Sequence, residues 1–286
     1  MNILDFTTPL VSNVWLAENI DNKHVIVLDA TLPKATAGNN QGGVSSDRIP
    51  GARFFDIKNS FSVSEAPYPN TRVDGTTFNK MAQKLGINND SIIVAYDDHG
   101  IYSSARAWWM FKAMGHAKVA VLDGGLPSWK SSGYPTEDKL LEDYALGSFE
   151  GLYDASFFKD SQDVLKDLEN DKELVIDARA DERFQGLVEE PRKGLRSGHI
   201  PHSSNIPFTS ILQNGEMKDL EEVSVLMQKT LVKNKNVTFS CGSGITACVL
   251  ALGATLVGRN KMAIYDGSWT EWGSIDTLPI ETGKEN

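Results

Sequence analysis

The run TFSCGSGITACVLAL, residues 238–252, holds the residues best suited to covalent chemistry. A β-branched stretch ends near Ser240, Cys241 follows, then a Gly-Ser-Gly turn, and a helix begins near Thr246. Glycines allow the backbone to turn its N–H groups inward as a nest for negative charge. The positive end of the following helix adds to the effect. Both favour a thiolate over a thiol, so Cys241 is the expected nucleophile. Cys248 falls seven residues later, inside the helix. Helical rise would put the two Cα atoms ~10 Å apart, too far for a disulfide, and Cys248 is read as core packing.

Such a loop needs a strand behind it and a helix ahead of it, and the chain supplies that arrangement twice. Ser91–Trp129 and Asn234–Trp272 align without a gap at a constant offset of 143, Gly115 meeting Gly258, Asp123 meeting Asp266 and Trp129 meeting Trp272. Upstream, VIVLDATLP (Val25–Pro33) parallels ELVIDARAD (Glu173–Asp181), and IPGARFFDI (Ile49–Ile57) parallels IPHSSNIPF (Ile200–Phe208). So long a period predicts tandem domains rather than a solenoid. Expected boundaries are a first domain over 1–138, a linker over 139–150 within the charged stretch Thr136–Gly151, and a second domain over 151–286.

Strands are expected at Val25–Leu28, Ile92–Ala95 and Val119–Leu122, and again at Leu174–Ile176, Val237–Phe239 and Met262–Tyr265. Helical stretches such as Ser103–Met114 and Thr246–Val257 lie between them. The alternation predicts an α/β fold with mostly parallel sheets covered by helices. Ligands of such sheets sit beyond the carboxyl ends of strands, which is where Cys241 falls.

Composition removes other classes. With 41% apolar, 23% charged and 9% aromatic residues the chain reads as globular, not disordered or fibrous. A net charge of −10, from 28 basic and 38 acidic residues, argues against nucleic acid as a partner. Apolar runs such as Val249–Leu252 are far short of the ~20 residues that span a bilayer, and the first residues show no secretory pattern. Two cysteines make no disulfide framework, so a reducing cytoplasm is expected.

The run CGSGIT (Cys241–Thr246), the tail AIYDGSWTEW (Ala263–Trp272), the tandem architecture and DARADERF…EEPRKGLRSGHIP (Asp177–Pro201) resemble the two-domain rhodanese-type sulfurtransferases over most of the chain. Within that family the Gly-Ser-Gly loop is similar to that of 3-mercaptopyruvate sulfurtransferases, whereas thiosulfate-preferring members usually carry cationic loop residues. The resemblance implies two rhodanese-like domains, no cofactor and no metal. It implies that Cys241 takes sulfur from a small-molecule donor, 3-mercaptopyruvate, as a persulfide, and that a thiol such as thioredoxin, a small thiol or cyanide accepts it. Loop amides from Gly242 through Gly244, Ile245 and Thr246 would cradle the sulfur, and Ser243 would donate to the leaving sulfur or the keto oxygen. The family's carboxylate clamp, two arginines nine residues apart, falls on Arg183 and Arg192. Guanidinium geometry suits a carboxylate bidentately. Arg179, Asp266 and Trp272 are read as scaffold, and His199 as a turn residue.

The first copy has Asp98 at the position of Cys241, so the expectation there is a catalytically silent domain whose nest holds the Asp98 side chain. Family members often carry a histidine in the stretch after FFDI; here that stretch is KNSFSVSEAPYPNTRVDG, with Asn70 near the histidine's place and Lys58 where an acidic partner is often found. No proton relay of that type is available. A thiosulfate sulfurtransferase would share Cys241 but not this uncharged loop. A cysteine phosphatase would need an arginine six residues after the cysteine, where Ala247 stands. A non-enzymatic persulfide carrier would need the loop but not the arginines.

Overall fold

The computed structural model describes residues 6, 8–34, 45–169, 173–231 and 235–284; Asn234, the first residue of the second repeat, and the chain's first five residues lie outside them. The chain forms two compact units. One takes the residues up to Ser64, Arg72–Asp154 and Asn214–Met217; the other takes Glu65–Thr71, Ala155–Gln213 and the chain from Lys218 onward.

The first unit is built on β1 (Leu10–Val11), β2 (Val25–Asp29), β3 (Arg53–Phe54), β4 (Ile92–Tyr96) and β5 (Val119–Leu122), all parallel, in the order β1-β5-β4-β2-β3. Every residue of the three central strands is buried, which is why they read as unbroken apolar runs rather than alternating ones. Val27, Val94, Tyr96, Leu122 and Trp129 belong to one core cluster. A second cluster is aromatic, with Phe55 stacked on Phe61 at 3.8 Å and Phe78 edge-on to Phe111 at 5.0 Å.

In the second unit β6 (Phe158–Lys159), β7 (Glu173–Asp177), β8 (Ser204–Asn205), β11 (Asn236–Ser240) and β12 (Met262–Tyr265) repeat that order as β6-β12-β11-β7-β8, again parallel. Between β8 and β11 come two further short strands, β9 (Leu212–Gln213) in this unit and β10 (Glu216–Met217) in the first, with Asn214 and Gly215 between them at φ 54° and 85°. Val164, Val175, Ile200, Tyr265, Trp269 and Trp272 form the core here. Trp129 and Trp272, partners in the repeat, each donate from Nε1 to a proline carbonyl at 2.7 Å, of Pro135 and Pro279 respectively, in keeping with a scaffold role.

The offset of 143 holds element by element: β4 and the helix Ser104–Ala113 answer to β11 and the helix Ala247–Leu256. Both helices are buried almost all round, so each is a core helix rather than an amphipathic one. The segment 139–150 holds no helix or strand, and its backbone is fastened to the first unit. Leu141 N donates to Ala52 O (2.8 Å), Gly147 N to Gln83 O (2.8 Å) and Phe149 N to Ile87 O (3.0 Å). Phe149 is only 1% exposed. No helix among the described residues is long and apolar enough to cross a membrane.

Candidate active site

β11 delivers Cys241 to the carboxyl edge of the second sheet, and the helix Ala247–Leu256 starts six residues later. Between them the loop is clipped to the helix Ser268–Trp272. Trp269 N donates to Cys241 O and Thr270 N to Gly242 O, both at 3.0 Å, and Thr270 Oγ1 also donates to Gly242 O at 2.5 Å. A trans peptide sets N–H opposite C=O. Holding those two carbonyls on one side therefore turns the amides of Gly242 and Ser243 to the other. Those amides, with the ones of Ile245, Thr246 and Ala247, have no acceptor among the described residues.

Gly244 differs from the expectation. Its amide, like that of Cys241, donates to Ser268 Oγ at 3.1 Å, so it is committed to the scaffold and is withdrawn from the expected cradle. Ser268 is completely buried, donates in turn to Tyr265 O at 2.7 Å and lies 4.0 Å from Cys241 Sγ. Its φ of 49° is left-handed, a conformation that disfavours any side chain, and its partner in the repeat is Gly125 at φ 54°. A serine standing where the other copy uses glycine was the one sequence signal for this residue, which the motif reading passed over.

Cys241 is 1% exposed, Ser243 7% and Ile245 3%. Cys248 is fully buried in the helix, and its thiol donates to Gly244 O at 3.3 Å, in line with the packing role expected of it. Thr246 is the helix N-cap residue and makes no side-chain capping bond.

Arg183, from the four-residue helix Asp181–Phe184, and Arg192, from the loop after it, both reach Gly242. A Cβ built on that glycine would stand 3.5 Å from Arg183 Nη2 and 3.7 Å from Arg192 Nη1. Glu190, one of the four carboxylates that flank the arginines in the sequence, anchors Arg183 through Nε (3.2 Å) and Nη2 (2.5 Å). It also accepts from Arg179 Nη1 at 2.9 Å. Arg179 is scaffold as expected: its side chain is buried, it grips both oxygens of Asp177, and it sits 4.2 Å over the Trp269 ring. Arg192 donates from Nη1 to Thr270 Oγ1 (3.3 Å) and from Nη2 to Ser243 Oγ (3.4 Å). A second donor reaches the same serine: Asn70 Nδ2 lies 3.0 Å from Ser243 Oγ. His199 stays outside this group, buried and stacked 3.9 Å from Phe184.

The first copy closes the corresponding loop on itself, and not through Asp98. That carboxylate turns to Ser45 N (3.1 Å) and His99 Nδ1 (3.2 Å). The side chain in the nest is that of Asp97, fully buried at the strand end, which accepts from the amides of His99 (3.0 Å), Tyr102 (2.9 Å) and Ser104 (2.8 Å). Burial pushes the Asp97 carboxyl up, against the pull of those hydrogen bonds. The one-residue correction lies in the partners: Asp97 accepts three loop amides, whereas Asp98 meets Ser45 and His99.

Comparison with known proteins agrees with this architecture. The family model for the rhodanese-like domain matches twice, over residues 12–132 and 160–275. The chain is 36% identical over 287 residues to the 3-mercaptopyruvate sulfurtransferase of Escherichia coli strain K12, covering 97% of this chain and 99% of that one. It is 41% identical over 273 residues to the enzyme of the same name from Rattus norvegicus, covering 92% and 91%. Among solved structures it matches SseA from Escherichia coli, described as a 3-mercaptopyruvate sulfotransferase, with TM-score 0.79 and 32% identity, covering 92% of this chain and 99% of that one. Two matched domains, a repeated sheet order and full-length relatives place the chain in the rhodanese-like family, as a two-domain sulfurtransferase.

Proposed function

We propose that the chain takes sulfur from 3-mercaptopyruvate on Cys241 and hands it to a thiol, releasing pyruvate. The thiolate of Cys241 attacks the substrate sulfur, an S–S bond forms and the C–S bond breaks. The electron pair stays on the methylene carbon as an enolate, which takes up a proton to become pyruvate. A second thiolate, on a thioredoxin-like protein or a small thiol, or cyanide, then attacks the outer sulfur of the persulfide and restores Cys241.

The observation that carries the substrate class is the convergence of Arg183 Nη2 and Arg192 Nη1 within 4 Å of one point above Gly242, beside the nucleophile. Two guanidiniums so placed suit a carboxylate. The unclaimed amides of Gly242, Ser243, Ile245, Thr246 and Ala247, at the start of a helix, suit the anionic sulfur. A thiosulfate reading is favoured less, because Gly242–Thr246 carries no cationic side chain for a second sulfonate charge. A persulfide carrier without catalysis would leave the arginine pair unused. The reducing cytoplasm is the compartment in which such a thiol turns over.

The test compares pyruvate release from 3-mercaptopyruvate with thiocyanate formation from thiosulfate and cyanide. Cys241→Ser is expected to lose sulfur transfer about 1,000-fold or more. Arg192→Ala is expected to raise KM for 3-mercaptopyruvate ~10–100-fold, the worth of a charged hydrogen bond, and to change thiosulfate much less. A fully active serine variant, or a wild type that prefers thiosulfate, overturns the reading.

A further inference from the structure

We infer that Asn70 is a positioning residue that aims the hydroxyl hydrogen of Ser243 at the keto oxygen of a bound 2-oxo acid. The inference rests on the proposed substrate and adds to it. Asn70 belongs to Glu65–Thr71, a short segment that packs in the same compact unit as the cysteine loop although it is distant in sequence. Its φ is 63°, one of four non-glycine residues in the left-handed region among those described. Asparagine bears that conformation better than most residues, yet it remains uncommon enough to point to a task. Thr71 Oγ1 donates back to Tyr68 O at 2.9 Å, so a local turn brackets the residue.

The task follows from counting lone pairs. A serine oxygen has two, and here Asn70 Nδ2 (3.0 Å) and Arg192 Nη2 (3.4 Å) both donate to it. Ser243 is nearly buried, and its own hydrogen has no acceptor among the described residues. With both lone pairs engaged, that hydrogen is left as a donor on the face away from the two nitrogen groups. An amide does not titrate, and a guanidinium stays charged throughout the working range. The donor therefore keeps its polarity whatever the pH, without help from an ionisable neighbour. A keto oxygen gains negative charge as pyruvate enolate leaves, so a fixed donor serves the first half-reaction and has no part in the second.

Rapid-mixing kinetics separate those halves. Asn70→Gly removes the amide while suiting the left-handed backbone, and Asn70→Asp replaces the donor by an acceptor that would claim the serine hydrogen. Persulfide formation from 3-mercaptopyruvate is expected to slow ~10-fold in Asn70→Gly. Discharge of the persulfide to dithiothreitol should stay within ~2-fold. Asn70→Asp should slow formation further and recover as pH falls through the carboxyl's own titration, because the protonated acid again donates. Unchanged formation in Asn70→Gly, equal slowing of both halves, or a flat pH profile in Asn70→Asp would each overturn the inference. Cys241→Ser measured in parallel distinguishes the two readings: if it stays active the proposed function fails, and if it is dead while Asn70→Gly is unaffected only the role of Asn70 fails.

Discussion

The two strand-to-helix loops share one backbone plan and differ in what occupies it. In the first, Asp97 closes on the amides of His99, Tyr102 and Ser104. At the offset of 143 the counterparts are Ser240 and the amides of Gly242, Ile245 and Ala247, and no group among the described residues claims those three. The Ser240 hydroxyl is itself buried without a partner among the described residues. The first loop has its anion built in; the second leaves the same hydrogen bonds for an anion from outside. The two copies of the scaffold thus differ at one position, Asp97 in the first and Ser240 in the second, one residue before Cys241.

The sharpest way to break this comparison is Ser240→Asp. If the amides are equivalent, a carboxylate there fills the cradle beside Cys241, and persulfide formation should fall ~100-fold or more, the scale of losing an oxyanion site. Circular-dichroism melting checks that the variant is folded; near-normal transfer in a folded variant would mean the open amides hold no reacting sulfur. The converse change, Asp97→Asn, leaves one accepting oxygen where two now serve the amides of His99, Tyr102 and Ser104. Denaturant titration should show it less stable by about 1–3 kcal/mol, with sulfur transfer within ~2-fold of wild type. A large loss of activity would show that the first copy is not silent. The smallest effect is expected at Gly242, whose counterpart is His99. Gly242→Ala meets only ordinary van der Waals contacts, at 3.5 and 3.7 Å, but its methyl stands between the two guanidiniums. KM for 3-mercaptopyruvate should rise about 5-fold, roughly 1 kcal/mol, at unchanged thermal stability; an unaltered KM would move the carboxylate elsewhere.

How much of this was legible in the sequence follows from how local each interaction is. The gapless repeat located both loops, and the periodicity of Ile92–Ala95 and Val237–Phe239 identified the strands, because burial on both faces writes itself into consecutive residues. Cys241 was legible for the same reason, since its neighbours in the chain are its neighbours in space. Arg183 and Arg192 emerged only through family resemblance, for nothing local separates them from surface ion pairs. Ser268 and the contact of Asn70 with Ser243 were not legible as partners. Each depends on tertiary approach, and 173 positions separate Asn70 from Ser243. Asp97 was missed in favour of Asp98 because alignment matches positions, whereas the direction of a side chain at a strand end depends on the pleat.

The arginine network has a further consequence. Arg179, Arg183 and Arg192 bring three permanent cations to a setting whose carboxylates are Asp177 and Glu190, and Arg192 has no carboxylate partner among the described residues. Counting these five side chains alone, the network is one anion short. On the proposed function, a monoanionic 2-oxo acid would supply that anion. The surplus cation makes a bound anion the balanced state of the site, so a neutral keto compound of the same shape would leave Arg192 without a charge partner.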